Sequence, residues 1–229
     1  MKKGNFIVIE GTDGSGKTKQ AKKLASRLIK EGHKIAEFDF PQYDKPSSFF
    51  VREYLNGNYG SADEVGPLKG SLFYALDRFD AGFSIRRAEK EGRICISNRY
   101  IGSNMGHQGG KILTKKGRRE YFKWLNELEF EILGIPKPDL NIILHVPAEM
   151  AQKLVDKKSE SMRKYANGKK RDIHEADIRH LKHAEMVYLE IAKLFPKNFV
   201  LVECVEKGRL LSIDEIHEKI WKIVKKVIS

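Results

Sequence analysis

Residues 5–18, NFIVIEGTDGSGKT, decide the fold of this chain. The segment Asn5–Glu10 is short, apolar and β-branched, which is typical of a buried strand. The residues that follow, Gly11–Thr18, match the pattern G-x-x-x-x-G-K-[ST]. Apolar side chains then recur at the i, i+3, i+4 and i+7 positions of an amphipathic helix: Ala21, Leu24, Ala25 and Leu28. Strand, glycine-rich loop and helix in this order predict a phosphate-binding loop.

The loop is predicted to bind a nucleotide polyphosphate through its backbone. Its glycines let successive N–H groups converge on phosphate oxygens, and the positive end of the helix adds to the attraction. Lys17 should reach the β- and γ-phosphates of ATP, and the Thr18 hydroxyl should coordinate Mg²⁺. The residues predicted to contact ATP are Gly11, Thr12, Asp13, Gly14, Ser15, Gly16, Lys17 and Thr18. A glycine-rich turn with a chance lysine would not explain the strand and helix on either side.

The rest of the chain alternates short apolar runs with longer amphipathic ones. Four further strands are predicted: Lys34–Phe38, Arg93–Ser97, Leu140–Val146 and Phe199–Val202. Two more helical stripes are present, formed by Leu181, Ala184, Tyr188 and Ile191 and by Ile213, Ile216, Ile220, Val224 and Val227. Ser212 with Glu215 is a capping-box signature. We therefore predict an α/β fold with three layers, in which a five-stranded parallel sheet carries helices on both faces, as one domain over residues 1–229.

Composition restricts the class of protein. The 229 residues are 41% hydrophobic and 32% charged. No apolar run approaches the roughly 20 residues that span a bilayer. The amino end lacks a secretory signal, so a cytoplasmic protein without a membrane partner is expected. The net charge of +12 would suit a nucleic acid, but no nucleic-acid-binding signature is present and no such partner is expected. Cys95 and Cys204 lie in apolar segments and are expected to be inert core thiols.

The phosphate-binding loop by itself leaves two classes of protein open. One is a phosphotransferase acting on a small molecule, and the other is an ATPase or GTPase that uses hydrolysis for motion or switching. A GTPase would show an N-K-x-D motif, which is absent. A motor ATPase would have an acidic residue at the end of a hydrophobic strand, but Leu140–Val146 runs into Pro147 and Arg93–Ser97 runs into Asn98.

Further blocks resemble the thymidylate kinase family from about Asn5 to Ala192. In chain order they are FPQY at 40–43, LDR at 76–78, NRYIGSN at 98–104, IPKPD at 135–139 and KRDIHE at 170–175. The resemblance implies a P-loop kinase fold and transfer of the γ-phosphoryl group of ATP to dTMP, with Mg²⁺ and usually as a homodimer. The rivals are another nucleoside or nucleotide kinase of the same fold and a basic P-loop ATPase acting on nucleic acid. For the dimer, the helical region Arg119–Leu133 is the candidate.

The resemblance implies how the thymine base is read. Tyr74 would stack under thymine, Arg78 would bond to its O4, and Asn104 would bond to its N3. Tyr74 and Arg78 lie four residues apart and so share one helix face. By periodicity alone Tyr74 would be a core residue, and Asn104 could be ordinary loop punctuation.

Three other positions are expected around the sugar and the acceptor phosphate. By resemblance, Asp13 bonds to the 3′-hydroxyl and Arg99 clamps the acceptor phosphate with its planar donor fork. Phe40 resembles a wall of the pocket, although core packing explains it equally well. Asp13 could instead be a solvent-facing loop residue.

The segment Lys157–Arg171 has seven basic residues and one acidic residue, so it is either a solvated charge run or a lid over ATP. Gly14 stands where some family members carry an arginine, and members without that arginine take a catalytic one from the lid. Arg163 and Arg171 are therefore the candidates. His174 and Glu175 are expected beside the substrates. Glu175 matches an acidic position near the Mg²⁺–phosphate cluster, whereas no titrating role is assigned to His174.

Two positions depart from the family pattern. Asn98 replaces the aspartate of the usual Asp-Arg-Tyr, and Gln42 stands where an arginine is common. We expect Asn98 to hold a metal-bound water through its oxygen, with Asp13 and Glu175 supplying the missing charge. Contacts to adenine are expected from the loop Cys204–Leu211.

Overall fold

The computed structural model describes residues 3–156 and 178–228. Its centre is a five-stranded parallel sheet in the order β2-β3-β1-β4-β5. The strands are β1 Phe6–Gly11, β2 Ile35–Asp39, β3 Ile94–Asn98, β4 Leu140–His145 and β5 Phe199–Glu203. The predicted α/β class and parallel sheet are confirmed, and each strand boundary lies within one residue of the prediction.

Eight α-helices are present in the described ranges and cover both faces of the sheet. They are α1 Lys17–Lys30, α2 Phe49–Leu55, α3 Ala62–Lys90, α4 Ile101–His107, α5 Lys115–Asn126, α6 Ala148–Asp156, α7 Ile178–Leu194 and α8 Ile213–Ile228. The side chains of β1 alternate between two cores, as the two-residue period of a strand requires. Ile7 and Ile9 pack with α1 and α8, whereas Phe6 and Val8 pack on the opposite face with α3, α4, α5 and α7.

Local signals in the sequence correspond to local structure at both ends of the chain. The predicted stripe of α1 is buried at Ala21, Leu24, Ala25 and Leu28. At the start of α8, Glu215 N–H donates to Ser212 Oγ at 3.2 Å, and Ser212 N–H donates to Glu215 Oε2 at 2.7 Å. The capping box is therefore formed in full.

Three segments differ from their predicted form. The loop after β5 contains a hairpin of β6 Val205–Glu206 and β7 Arg209–Leu210, whose turn residues both have positive φ. Helix α3 begins well before Tyr74 and kinks at Gly66, which has φ 74° and precedes Pro67. The helical region Arg119–Leu133 consists of the end of α5 and a π-helical segment, Glu127–Ile132.

Cys95 and Cys204 are free and buried, as expected. Burial raises the pKa of both thiols to about 12, so both stay protonated and unreactive at neutral pH. Among the described helices, none has the length and apolarity needed to cross a bilayer. The predicted lid, 157–171, lies outside the described residues.

Candidate active site

The phosphate-binding loop joins the end of the buried central strand β1 to the start of α1. Lys17 is almost fully buried and its Nζ donates to the carbonyl oxygen of Thr12 at 2.8 Å. The buried hydroxyls of Thr12 and Ser15 make no hydrogen bond within the described part of the chain. Gly14 has φ 84°, and a Cβ there would lie 2.2 Å from the carbonyl oxygen of Ala151 in α6. A side chain at this position is therefore excluded, which explains in physical terms why no loop arginine stands there.

Asp13 lies between two cations. Its Oδ1 accepts a short hydrogen bond from Nη2 of Arg99, and Lys17 Nζ lies 3.9 Å from the same oxygen. Arg99 directly follows β3 and has φ 66°, a strained conformation for a residue with a side chain. Burial alone would lower the pKa of Arg99, but the Asp13 carboxylate outweighs it and raises the pKa above its usual range. Arg99 is therefore a fixed positive charge at the carboxyl end of β3.

The six predicted monophosphate residues all line one cavity beside the loop: Asp13, Phe40, Tyr74, Arg78, Arg99 and Asn104. Three of them follow the ends of β1, β2 and β3, and the other three lie on α3 and α4. Phe40 is also part of the core, with its ring centroid 5.5 Å from that of Tyr100. Phe40 therefore lines the cavity and packs in the core at the same time.

Arg78 has a partner that the sequence did not indicate. Its Nε and Nη2 donate to the two carboxylate oxygens of Glu129 at 2.7 and 2.5 Å, and both side chains are buried. Burial alone would lower the pKa of Arg78, but Glu129 outweighs it and raises the pKa. Within the described residues, Nη1 of Arg78 makes no hydrogen bond, so the edge of the guanidinium that carries Nη1 is left for a ligand.

The orientation of the Asn104 amide follows from its neighbours. Nδ2 donates to the carbonyl oxygen of Ser71 at 3.1 Å and lies 3.4 Å from Oε1 of Glu129. A carbonyl and a carboxylate can only accept, so the NH₂ group must face them. The Oδ1 atom then points the other way, as an acceptor. The cavity thus offers a donor from Arg78 beside an acceptor from Asn104, which complements a carbonyl next to an N–H.

Glu129 was missed because its partner lies 51 residues away in the chain. A weak signal existed. Glu129 follows Leu125 by four residues, so it falls on the buried face of its helix, where an unpaired acid would be costly.

The predicted metal position contains one feature that differs from expectation. Nδ2 of Asn98 donates to Asp39 Oδ1 at 2.7 Å and to Thr18 Oγ1 at 3.3 Å. The nitrogen of the amide, and not its oxygen, therefore faces Thr18. Among the described residues, this position included, no group of three or more His, Cys, Asp or Glu side chains is placed to hold a metal ion. The Thr18 hydroxyl, the Asn98 amide and the Asp39 carboxylate are a suitable set for Mg²⁺, because this ion keeps several of its waters and is bound largely through substrate phosphates.

Two buried titratable groups were also missed, Glu10 behind the cavity and His107 in its lining. Glu10 accepts hydrogen bonds from Tyr100 N–H at 2.8 Å and from Ser103 Oγ at 2.7 Å, and so holds the start of α4. His107, at the end of α4, lies 3.3 Å from Nη1 of Arg99 through Nε2, and its Nδ1 lies 3.1 Å from Nε2 of His180.

The remaining predicted residues cannot be assessed from the geometry. Arg163, Arg171, His174 and Glu175 lie outside the described residues. Gln42, the second departure from the family pattern, is held against α3, because its backbone N–H donates to Asp77 Oδ2 at 2.8 Å.

Comparison with known proteins gives a consistent result. The family model described as Thymidylate kinase matches residues 9–220. A thymidylate kinase of Mycobacterium tuberculosis is 30% identical, over 82% of this chain and 85% of its own. A probable thymidylate kinase of Pyrococcus horikoshii is 28% identical over 97% of each chain. The solved structure of the Candida albicans thymidylate kinase has a TM-score of 0.73 at 21% identity, covering 98% of this chain and 92% of its own, which shows the fold alone.

The buried pair of Arg78 and Glu129 yields a prediction on stability. Glu129→Ala should lower the free energy of unfolding by about 3–5 kcal/mol, because it leaves a buried charge without a partner. The double variant Arg78→Met/Glu129→Leu should recover most of that loss, measured by urea denaturation. The matched control is Glu131→Ala, two residues along, which removes an exposed partner of Lys137 and should change little. Equal losses for Glu129→Ala and the double variant would contradict the ion-pair explanation.

His107 yields a prediction on pH. Burial and the Arg99 charge lower its pKa well below the usual value of about 6.5. Below about pH 6.5 the imidazole of His107 is protonated in the unfolded chain but stays neutral in the folded one. The free energy of unfolding therefore falls as the pH drops, by at most about 1.4 kcal/mol per pH unit. In His107→Gln the decrease in the free energy of unfolding that His107 causes on acidification should disappear. The measurement is urea denaturation between pH 7.5 and 5.5.

His145 is a control, because its pKa is shifted in the opposite direction to that of His107. Burial alone would lower its pKa, but Glu185 and Glu203 outweigh this and raise it. Its contribution is present at low pH and is lost as pH rises through the folded pKa. His145→Gln should therefore steepen the loss of stability on acidification, and the same slope for both variants would exclude the assignment of His107.

Proposed function

Because the chain belongs to the thymidylate kinase family, we propose that it transfers the γ-phosphoryl group of ATP to dTMP, giving ADP and dTDP, with Mg²⁺ as the metal ion. Membership makes it a nucleotide-binding transferase. The observation that carries the choice of dTMP is the paired donor and acceptor in the cavity, on Arg78 and Asn104. A nucleic-acid ATPase is not favoured, since the relatives named above are thymidylate kinases.

Base selection is proposed to follow from the orientation of these two side chains. Arg78, fixed by Glu129, would donate to O4 of thymine, and Oδ1 of Asn104 would accept the N3–H. Cytosine presents an amino group and a bare nitrogen at the same places, so both contacts would fail. Tyr74 and Phe40 would hold the ring between apolar surfaces.

The sugar and the acceptor phosphate are proposed to lie across the pair formed by Asp13 and Arg99. Asp13 would accept from the 3′-hydroxyl, and Arg99 would bind the phosphate through its planar fork. Because the two side chains already contact each other, a bound phosphate competes with the Asp13 carboxylate for Arg99. The clamp is thus held in place before substrate arrives, and little side-chain entropy is lost on binding.

Transfer is proposed to depend on positioning and on neutralising charge. Lys17 would move from the Thr12 carbonyl oxygen to the β- and γ-phosphates, and Thr18 and Asn98 would line the metal position. Mg²⁺, when bound, supplies positive charge to the phosphate oxygens. Residues outside the described ranges complete the proposal: Arg163 or Arg171 as the lid cation, with His174 and Glu175 beside the substrates.

We also propose a homodimer of single-domain subunits, each formed by residues 1–229. Helix α3 presents a stripe of exposed apolar side chains at spacings of four, four, three and four residues, which places them on one helix face: Leu68, Leu72, Leu76, Phe79 and Phe83. The region Arg119–Leu133, which the sequence suggested, exposes only Ile132 among large apolar residues of the described chain. The two free, buried cysteines suit a cytoplasmic location, where thiols stay reduced.

The base assignment is tested with an assay of ADP release across the deoxynucleoside monophosphates. We expect kcat/KM for dTMP to exceed that for dCMP at least tenfold, because two mispaired buried groups cost roughly 1–3 kcal/mol each. Asn104→Ala should reduce this ratio, whereas Asn126→Ala, outside the cavity, should not. Equal kcat/KM for both nucleotides would contradict the base assignment, and ADP release that depends on DNA instead of a monophosphate would contradict the function.

The dimer is tested by sedimentation. Phe83→Glu places a charge at the end of the apolar stripe, on its most exposed side chain, and should shift the protein from dimer to monomer at micromolar concentration. Ile29→Glu, an equally exposed apolar position on α1, is the control and should leave the dimer intact. A monomeric wild-type protein would refute the proposal.

A further inference from the structure

The carboxyl ends of β2 and β3 bring together two residues that are 59 positions apart in the chain. In the parallel register of these strands, Asp39 pairs with Asn98, the last residue of each. Both residues lie beside the start of α1, where Thr18 presents its hydroxyl. The carboxylate of Asp39 therefore lies at the edge of the sheet where the nucleotide phosphates are expected.

The amide of Asn98 connects Asp39 to Thr18. Because a carboxylate can only accept, the NH₂ group must face Asp39, and the same nitrogen reaches the Thr18 hydroxyl. Oδ1 of Asn98 is buried and, within the described residues, accepts no hydrogen bond. A buried acceptor without a protein partner needs a donor such as water. The NH₂ group of the amide therefore orients Asp39, and the buried oxygen still has room for a donor such as a bound water.

The other carboxylates around the loop are already engaged. Asp13 is bonded to Arg99, with Lys17 also close, and Glu10 is buried and accepts from Tyr100 and Ser103. Asp39 differs from both. The residue as a whole is exposed to solvent, although partial burial of its carboxyl raises the pKa of Asp39, and in the described chain its Oδ2 accepts no hydrogen bond.

We propose that Asp39 is the carboxylate of the Mg²⁺ site, and that Asn98 is the neutral link that orients it. Oδ2 of Asp39 accepts hydrogen bonds from water bound to the ion, while the Thr18 hydroxyl and the nucleotide phosphates coordinate the ion directly. The inference rests on the proposed function only in taking ATP as the bound nucleotide. It assigns to Asp39 the charge that an aspartate at position 98 would otherwise carry.

The test measures metal affinity directly. Mn²⁺, which prefers the same oxygen ligands as Mg²⁺, is titrated into the full chain with a non-hydrolysable ATP analogue, and free Mn²⁺ is followed by electron paramagnetic resonance. Asp39→Asn keeps the shape and the hydrogen bond from Asn98 but removes the charge. We expect it to raise the Kd for Mn²⁺ by about 10–100-fold, the usual effect of losing a group that binds metal-bound water.

A charge exchange separates the proposal from a general loss of structure. In the double variant Asp39→Asn/Asn98→Asp the carboxylate stands on β3 and the amide on β2, so the Kd for Mn²⁺ should return to within about threefold of wild type, well inside the single-variant loss. Glu37→Gln is the matched control. It removes a charge from the same face of β2, two residues from the strand end and opposite Ile96, and should leave the Kd unchanged.

Three outcomes overturn the inference: an unchanged Kd in Asp39→Asn, a double variant as weak as the single one, or an equal loss in Glu37→Gln. The binding titration contains no dTMP, so it does not depend on the identity of the acceptor. If ADP release with dTMP fails while the Mn²⁺ result holds, the proposed acceptor is wrong and the role of Asp39 stands. If turnover is normal and Asp39→Asn binds Mn²⁺ as wild type does, the role of Asp39 alone is wrong.

Discussion

The parallel register of three neighbouring strands is the constraint on which the site depends. β1 is fully buried at the centre of the sheet, and its pairing with β3 places Ile9 opposite Asn98. Because the strands run in one direction, the turns that follow them emerge at one edge. The loop after β1, the Arg99 turn after β3 and the end of β2 therefore meet, and a slip of one residue would turn Asp39 and Asn98 to the opposite faces of the sheet.

Charge at this edge is arranged before any ligand binds. Arg99 and Arg78 both lie where burial works against a cation, and each is compensated by one carboxylate, Asp13 or Glu129. Taking such groups out of water costs several kcal/mol per ion, so the pairs are weak evidence for stability. Their effect is orientation. A guanidinium held at Nε and Nη2 has one remaining direction in which to donate, and no reorganisation is needed when a ligand arrives.

The fold could be predicted from the sequence because its signals are local, whereas the residues that line the cavity were expected from the resemblance of short blocks to a known family. Strand boundaries were recovered to within one residue, since apolar runs and the glycine-rich loop are contiguous, and the capping box of α8 is read within four residues. Partners across the fold could not be predicted. Glu129 meets Arg78 across 51 positions, and Asp39 meets Asn98 through strand register. The hairpin after β5 had only the short signal Lys207-Gly208, and Asn98 could be placed near the metal but its amide could not be oriented.

The orientation of that amide changes what the substitution at position 98 means. In the sequence alone, Asn98 stands where the family has an aspartate, so a negative charge is lost at this position. In the fold, the charge is present one strand away, and the amide that replaced the carboxylate donates to it. An ion that keeps most of its water can be served by any carboxylate whose oxygen reaches that water, because the interaction is a hydrogen bond through solvent and not a direct bond with fixed geometry. Two carboxylates side by side at this edge would repel each other and retain a proton, so an aspartate on β2 favours a neutral donor on β3. If Asp39 serves the ion as proposed, Asp39 and Asn98 form one functional unit, in which the position of the charge in space matters and the strand that carries it does not.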